Sequence, residues 1–180
     1  SMGGGFFNND GDVSIDESLF QNNQAKFGTG FYNSVNTSTI GIHNSLFKEN
    51  SANDLDGGGT IMTDGEGVVT IEQTTIDHNT AGFAAGVYAG SGKIYMDGST
   101  ISNNSAGGAT SILTYAELFS IRNTTISTNR ADSWTAGIYF GANNKSKLDL
   151  NHVTIYGNVS NALGLTPEAF GSGLYQEDSS

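Results

Sequence analysis

The chain has 180 residues and a formal net charge of −11, with only 14% of its residues charged. Seven Lys and Arg against 18 Asp and Glu leave no basic face to release phosphate counterions or to meet anionic lipid, which argues against nucleic-acid binding and membrane docking. Cysteine is absent, so a disulfide framework and thiolate metal sites are excluded, and no apolar run reaches the ~18–20 residues of a transmembrane helix.

In chain order, Ser1-Met2 reads as an expression scar and 3–180 as one domain excerpted from a longer chain. The first element is the block GGGFF at 3–7: small, small, Gly, apolar, aromatic. It returns as GTGFY (28–32), GGGTI (57–61), AAGVY (84–88), ATSIL (109–113), TAGIY (135–139) and GSGLY (171–175). Next comes Val13-Ser14-Ile15, whose period-two alternation marks a strand with one face buried. It returns at Ile40/Ile42, Val69/Ile71, Ile94/Met96, Phe119/Ile121 and Leu148/Leu150. The third element is SLFQNNQ at 18–24. Its Phe20 is the first of six anchors, followed by Phe47, Ile76, Ile101, Ile126 and Ile155, spaced 27, 29, 25, 25 and 29 residues apart. Three residues after each anchor stands an Asn: Asn23, Asn50, Asn79, Asn104, Asn129 and Asn158. An Ala follows two residues later in five copies and Ser160 in the sixth. The stretches joining the blocks vary most in length and read as outward loops. The irregular stretch 161–170, NALGLTPEAF, reads as a lateral loop or short helix.

Such a chain repeats because no single copy can bury its own faces. Three short strands per repeat of 24–29 residues predict an all-β fold: a parallel β-helix of about six to seven coils and three sheets, stacked ~4.8 Å apart. The apolar columns fill the cylinder, each buried aliphatic side chain contributing ~1.5–3 kcal/mol. The Asn column is expected at a turn, bonding amide to amide between coils and tolerating left-handed backbone geometry.

FQNN (Phe20 to Asn23) and FKEN (Phe47 to Asn50) match an FxxN motif, and GGGT (Gly57 to Thr60) and GGAT (Gly107 to Thr110) approximate a GGA-I motif. These resemble the repeats of polymorphic outer-membrane proteins and autotransporter passengers, and more broadly the extracellular right-handed β-helix repeats of bacterial surface proteins. The resemblance covers nearly the whole chain. It implies right-handed winding, export to the cell surface or beyond, and a non-enzymatic role in adhesion, in binding carbohydrate or protein, or as a stalk. The alternative is a carbohydrate-active β-helix enzyme: a polysaccharide lyase, hydrolase or epimerase.

Four sets of residues carry possible chemistry. The column four before each anchor should face outward and includes His43, Glu72, Asp97 and Arg122, a row able to do acid–base work on a sugar, or simply a polar face with paired charges. Asp54, Asp56, Asp64 and Glu66, with Asp10 and Asp12 one coil earlier, offer oxygen ligands for Ca²⁺, or form a solvated acidic loop; no other cofactor is implied. The last position of the Gly block (Phe7, Tyr32, Ile61, Tyr88, Leu113, Tyr139, Tyr175) should point away from the cylinder, with Thr60 inward in the third copy. Its Tyr32, Tyr88, Tyr139 and Tyr175 would form an exposed stripe able to stack on sugars or meet a protein, or a ladder that stacks on itself. Finally, the first coil, with Phe6, Val13, Ile15 and Phe20, reads as uncapped, which predicts either a locally frayed first coil or end-to-end association strengthened by salt.

Overall fold

The structure, a computed structural model, describes residues 1–34, 37–52, 57–141, 146–161 and 172–177. Its strands are all paired in parallel, each with its equivalent one repeat away, so the chain is a parallel β-solenoid. Each coil carries four strands, one more than the sequence predicts. The first coil shows the pattern: Phe6–Asn8, Val13–Asp16, Leu19–Gln21 and Gln24–Ala25. The additional strand is the two-residue pair holding the Ala column. Seven strands make the first sheet and six each of the others.

The period-two columns do what alternation requires. Ile40, Ile42, Val69, Ile71, Ile94, Met96, Phe119 and Ile121 are buried in one continuous core. The anchors Phe47, Ile76, Ile101 and Ile126 enter from the third sheet, and Phe31, Ile61, Val87, Ile112 and Ile138 from the first. Gly30 sits in this core because a Cβ there would come within 2.5 Å of the Phe47 ring.

Two corners flank every strand of the third sheet, and both turn through a left-handed residue. Glu17, Asn44, Gln73, Gly98, Asn123 and His152 occupy the first, with φ between 45° and 58°. Asn22, Glu49, His78, Asn103, Thr128 and Gly157 occupy the second, with φ between 54° and 63°. The left-handed role expected of the Asn column therefore belongs to the residue before it. The chain reverses there, which sends that side chain to solvent and frees the next amide to aim along the stack.

The aimed amides form an unbroken ladder. Asn79 Nδ2 donates to Asn104 Oδ1 (3.0 Å), and Asn104 Nδ2 to Asn129 Oδ1 (3.0 Å). From Asn50 onward each ladder amide also donates to the anchor carbonyl of the preceding coil, as Asn104 does to Ile76 O (3.0 Å). A second ladder, unread in the sequence, runs through Ser18, Ser45, Thr74, Ser99 and Thr124. Each hydroxyl donates to the carbonyl two residues back, and all but that of Ser18 accept a backbone N–H from the preceding coil.

One register differs from expectation. Tyr32 pairs with Met62 and Phe31 with Ile61, so Ile61 points in and Met62 out. The cause is the turn at Gly59 (φ 71°), three residues before Met62, whereas Gly28 (φ 58°) stands four before Tyr32.

Candidate functional site: a groove over the second sheet

Because alternate residues of the second sheet fill the core, the residues between them face out. Two outward columns run side by side: Thr70, Tyr95 and Ser120 in register, and Glu72, Asp97 and Arg122 in register. They line an open groove of about 370 Å³, with Met96 at its base. A second depression, of about 430 Å³, shares Glu72 and Asp97 and continues into the corner formed by Gln73, Gly98 and Asn123. It is open there because Gly98 lacks the side chain that Gln73 and Asn123 carry in the coils on either side.

The polar groups of the groove are largely unspent. Tyr95 is 39% exposed and its ring lies free on the surface. Ser120 is only 5% exposed, yet its side chain lines the groove. Among the described residues, the side chains of Thr70, Tyr95, Ser120 and Arg122 make no hydrogen bond or ion pair with the protein. The carboxylates are half used. Asp97 Oδ1 accepts from Asn123 Nδ2 (2.9 Å), and Glu72 Oε2 lies 3.2 Å from His43 Nδ1. The His43 ring folds back over Gly41, where a Cβ would come within 2.7 Å of its Nε2. Of the acid–base row expected from the sequence, the structure thus brings Glu72, Asp97 and Arg122 into one groove and sets His43 beside it. Tyr95, Thr70, Ser120 and Gly98 were not singled out. The signal for Tyr95 was present: an aromatic between two inward residues, Ile94-Tyr95-Met96, has to face out.

The tyrosine column departs from expectation. It leaves the cylinder as predicted, but it is not an exposed stripe. Tyr32 and Tyr139 are 7% and 6% exposed, and Tyr88 and Tyr175 are half-buried. A second apolar cluster takes in Tyr88, Tyr139 and Tyr175, with Phe83 and Trp134 packed edge to face (4.8 Å) and Trp134 stacked on Tyr139 (5.4 Å), while Tyr32 stacks on Phe7 (5.5 Å). Tyr32 donates its hydroxyl proton to Asp64 (2.7 Å) and Tyr139 to Glu177 (3.0 Å). Burial first, then these hydrogen bonds to carboxylates, pushes both phenols well above the usual tyrosine value. Tyr88 lines an opening, a small apolar one with Phe27, Gly58, Met62 and Phe83.

Of the proposed Ca²⁺ ligands, Asp54 and Asp56 lie outside the described residues. Asp64 is held by Tyr32, and Asp12 Oδ1 accepts the Thr39 backbone N–H (2.7 Å). Among the described residues no three His, Asp or Glu side chains converge as metal ligands. Comparison with protein-family models, curated proteins and solved structures gives no match.

Proposed function

We propose that this chain is a non-enzymatic, right-handed β-solenoid module of a secreted or cell-surface protein, and that it binds carbohydrate in the groove over its second sheet. The observation that carries this is the exposed Tyr95 ring, bordered by hydroxyls and a guanidinium that the protein itself leaves unused and by two carboxylates that it uses in part. A pyranose presents an apolar C–H face that stacks on an aromatic ring and a rim of hydroxyls that need both donors and acceptors. Thr70, Ser120 and Arg122 supply donors, and Glu72 and Asp97 supply acceptors. Right-handed winding is supported by the parallel pairing of every coil, since parallel crossovers are right-handed in ~98% of cases. The ladders would hold the groove rigid, which lowers the ordering cost of binding.

Calorimetric titration with a panel of neutral and acidic oligosaccharides tests this. Tyr95→Ala should weaken binding about tenfold or more, ~1.4 kcal/mol. Tyr156→Ala, more exposed than Tyr95 but on the third sheet, should leave it unchanged. Binding indifferent to Tyr95→Ala would place any ligand elsewhere. A catalytic reading is favoured by one observation, the presence of Glu72 and Asp97 in the lining of both depressions. It requires that the panel be cleaved and that Glu72→Gln or Asp97→Asn stop cleavage while binding persists.

A further inference from the structure

The two depressions form one continuous track. They share Glu72 and Asp97, and one lies over Tyr95 while the other lies over Gly98, three residues further along the same strand and corner. At ~3.3 Å per residue this is about 10 Å, the length of two linked pyranose rings. Resting on the carbohydrate-binding role proposed above, we infer that the groove is a two-unit site for a neutral glycan, whose chain crosses the solenoid axis instead of following it. The first ring stacks on Tyr95. The second sits over Gly98. Glu72 and Asp97 stand beneath the linkage and accept hydroxyl protons from both rings.

Three observations carry this. The first is Gly98 itself. Its corner adopts a left-handed φ of 58°, but Asn44 and Asn123 adopt the same conformation in the same column, so the turn does not require glycine. A Cβ at Gly98 would meet only Gln73, at 3.6 Å, so close packing does not require glycine either. What glycine leaves at this corner is space, and that space is the second depression. The second observation is what blocks the axial direction. Toward the N-terminal coils, the His43 ring occupies the space over Gly41, its Nε2 edge nearest. Toward the C-terminal coils, Asp149 and Asn151 follow Ser120 and Arg122 in the two outward columns. Ser120 provides the third: a residue only 5% exposed whose hydroxyl lines the track with no protein partner. The sign of the charge then selects the ligand. Two carboxylates against one Arg, in a chain of net charge −11, repel uronate and sulfated sugars.

Calorimetric titration with glucose, mannose and galactose oligomers of one to four units, and with tetragalacturonate as the acidic probe, decides it. Affinity for the recognised sugar should rise about tenfold from one unit to two and stay level from two to four. Gly98→Asn, which installs the residue already present at Asn44 and Asn123, should return the dimer to the affinity of the monomer and leave the monomer's affinity and the thermal unfolding midpoint unchanged. Gly98→Gln, the residue of the preceding coil, gives the same outcome by a second route. Tyr95→Ala should weaken monomer and dimer alike. Affinity that climbs steadily through four units, a dimer affinity untouched by both Gly98 variants, or tighter binding of tetragalacturonate would overturn the two-unit neutral site and leave a carbohydrate-binding module standing. Absence of binding to every probe overturns both.

Discussion

At the scale of single residues, the ladder asparagines are the positions the fold can least exchange. Asn104 is buried, and its amide takes part in five hydrogen bonds: two donated, to Ile76 O and Asn129 Oδ1, two accepted by Oδ1 from the backbone and side chain of Asn79, and one accepted by its neighbour Asn129 from the Asn104 backbone. Asn104→Ala keeps the last of these, which still serves Asn129 Oδ1, and removes the other four, leaving the Asn79 backbone N–H and one Asn79 Nδ2 proton without their acceptor. At ~1–3 kcal/mol for each buried group left unpaired and not reached by water, the expected loss is about 3–5 kcal/mol in urea unfolding. Asn104→Asp should cost as much, because it removes both donors and buries a charge. This column was legible because its chemistry repeats without exception. The hydroxyl ladder was less so: Ser and Thr alternate within it, Val153 ends it, and either residue is as common in turns as in ladders. The left-handed corners were the hardest to place. Their occupants range from Glu17 to Thr128 to Gly157, with nothing in common except a left-handed turn at an exposed corner.

At the scale of elements, the first sheet shows what strand periodicity can and cannot settle. Alternation correctly turned Tyr32 and Tyr139 away from the cylinder, but Phe83 and Trp134, which pack in the cluster over Tyr139, lie in connecting stretches with no period to read. The burial of the two tyrosines has a consequence in alkali. Tyr32 and Tyr139 hold their protons more tightly folded than unfolded. The stability they contribute is therefore complete below pH ~10, the unfolded value, and is lost as pH rises from there toward the folded values. Unfolding midpoints measured from pH 9 to 12 should fall, and Tyr32→Phe combined with Tyr139→Phe should flatten that fall even though each variant forfeits a hydrogen bond. An unchanged slope would mean that these phenols ionise alike in both states.

At the scale of the whole molecule, the solenoid was legible and its groove was not, for one reason. Repetition identifies what every coil shares, and the parallel stack follows from that. The groove is made by departures: a tyrosine where other coils hold Ser14, Gly41 or Thr70, and a glycine where they hold Gln73 or Asn123. Aligning columns averages such residues away. The constant spacing also has an outcome for the gene. Asn79, Asn104 and Asn129 stand 25 residues apart, and so do the anchors paired with them, Ile76, Ile101 and Ile126. Excising 102–126 would join Ile101 to Ser127, the same chemical junction that now joins Ile126 to Ser127, and every column would close up by one rung. The rod would shorten by ~4.8 Å. Asp149 and Asn151 would then move in beside Tyr95 and Asp97 in place of Ser120 and Arg122. Reach in this protein is thus counted in whole coils. Unequal recombination between repeats can lengthen or shorten it without rewriting a single hydrogen-bond pattern, and each such event redraws the groove at the seam.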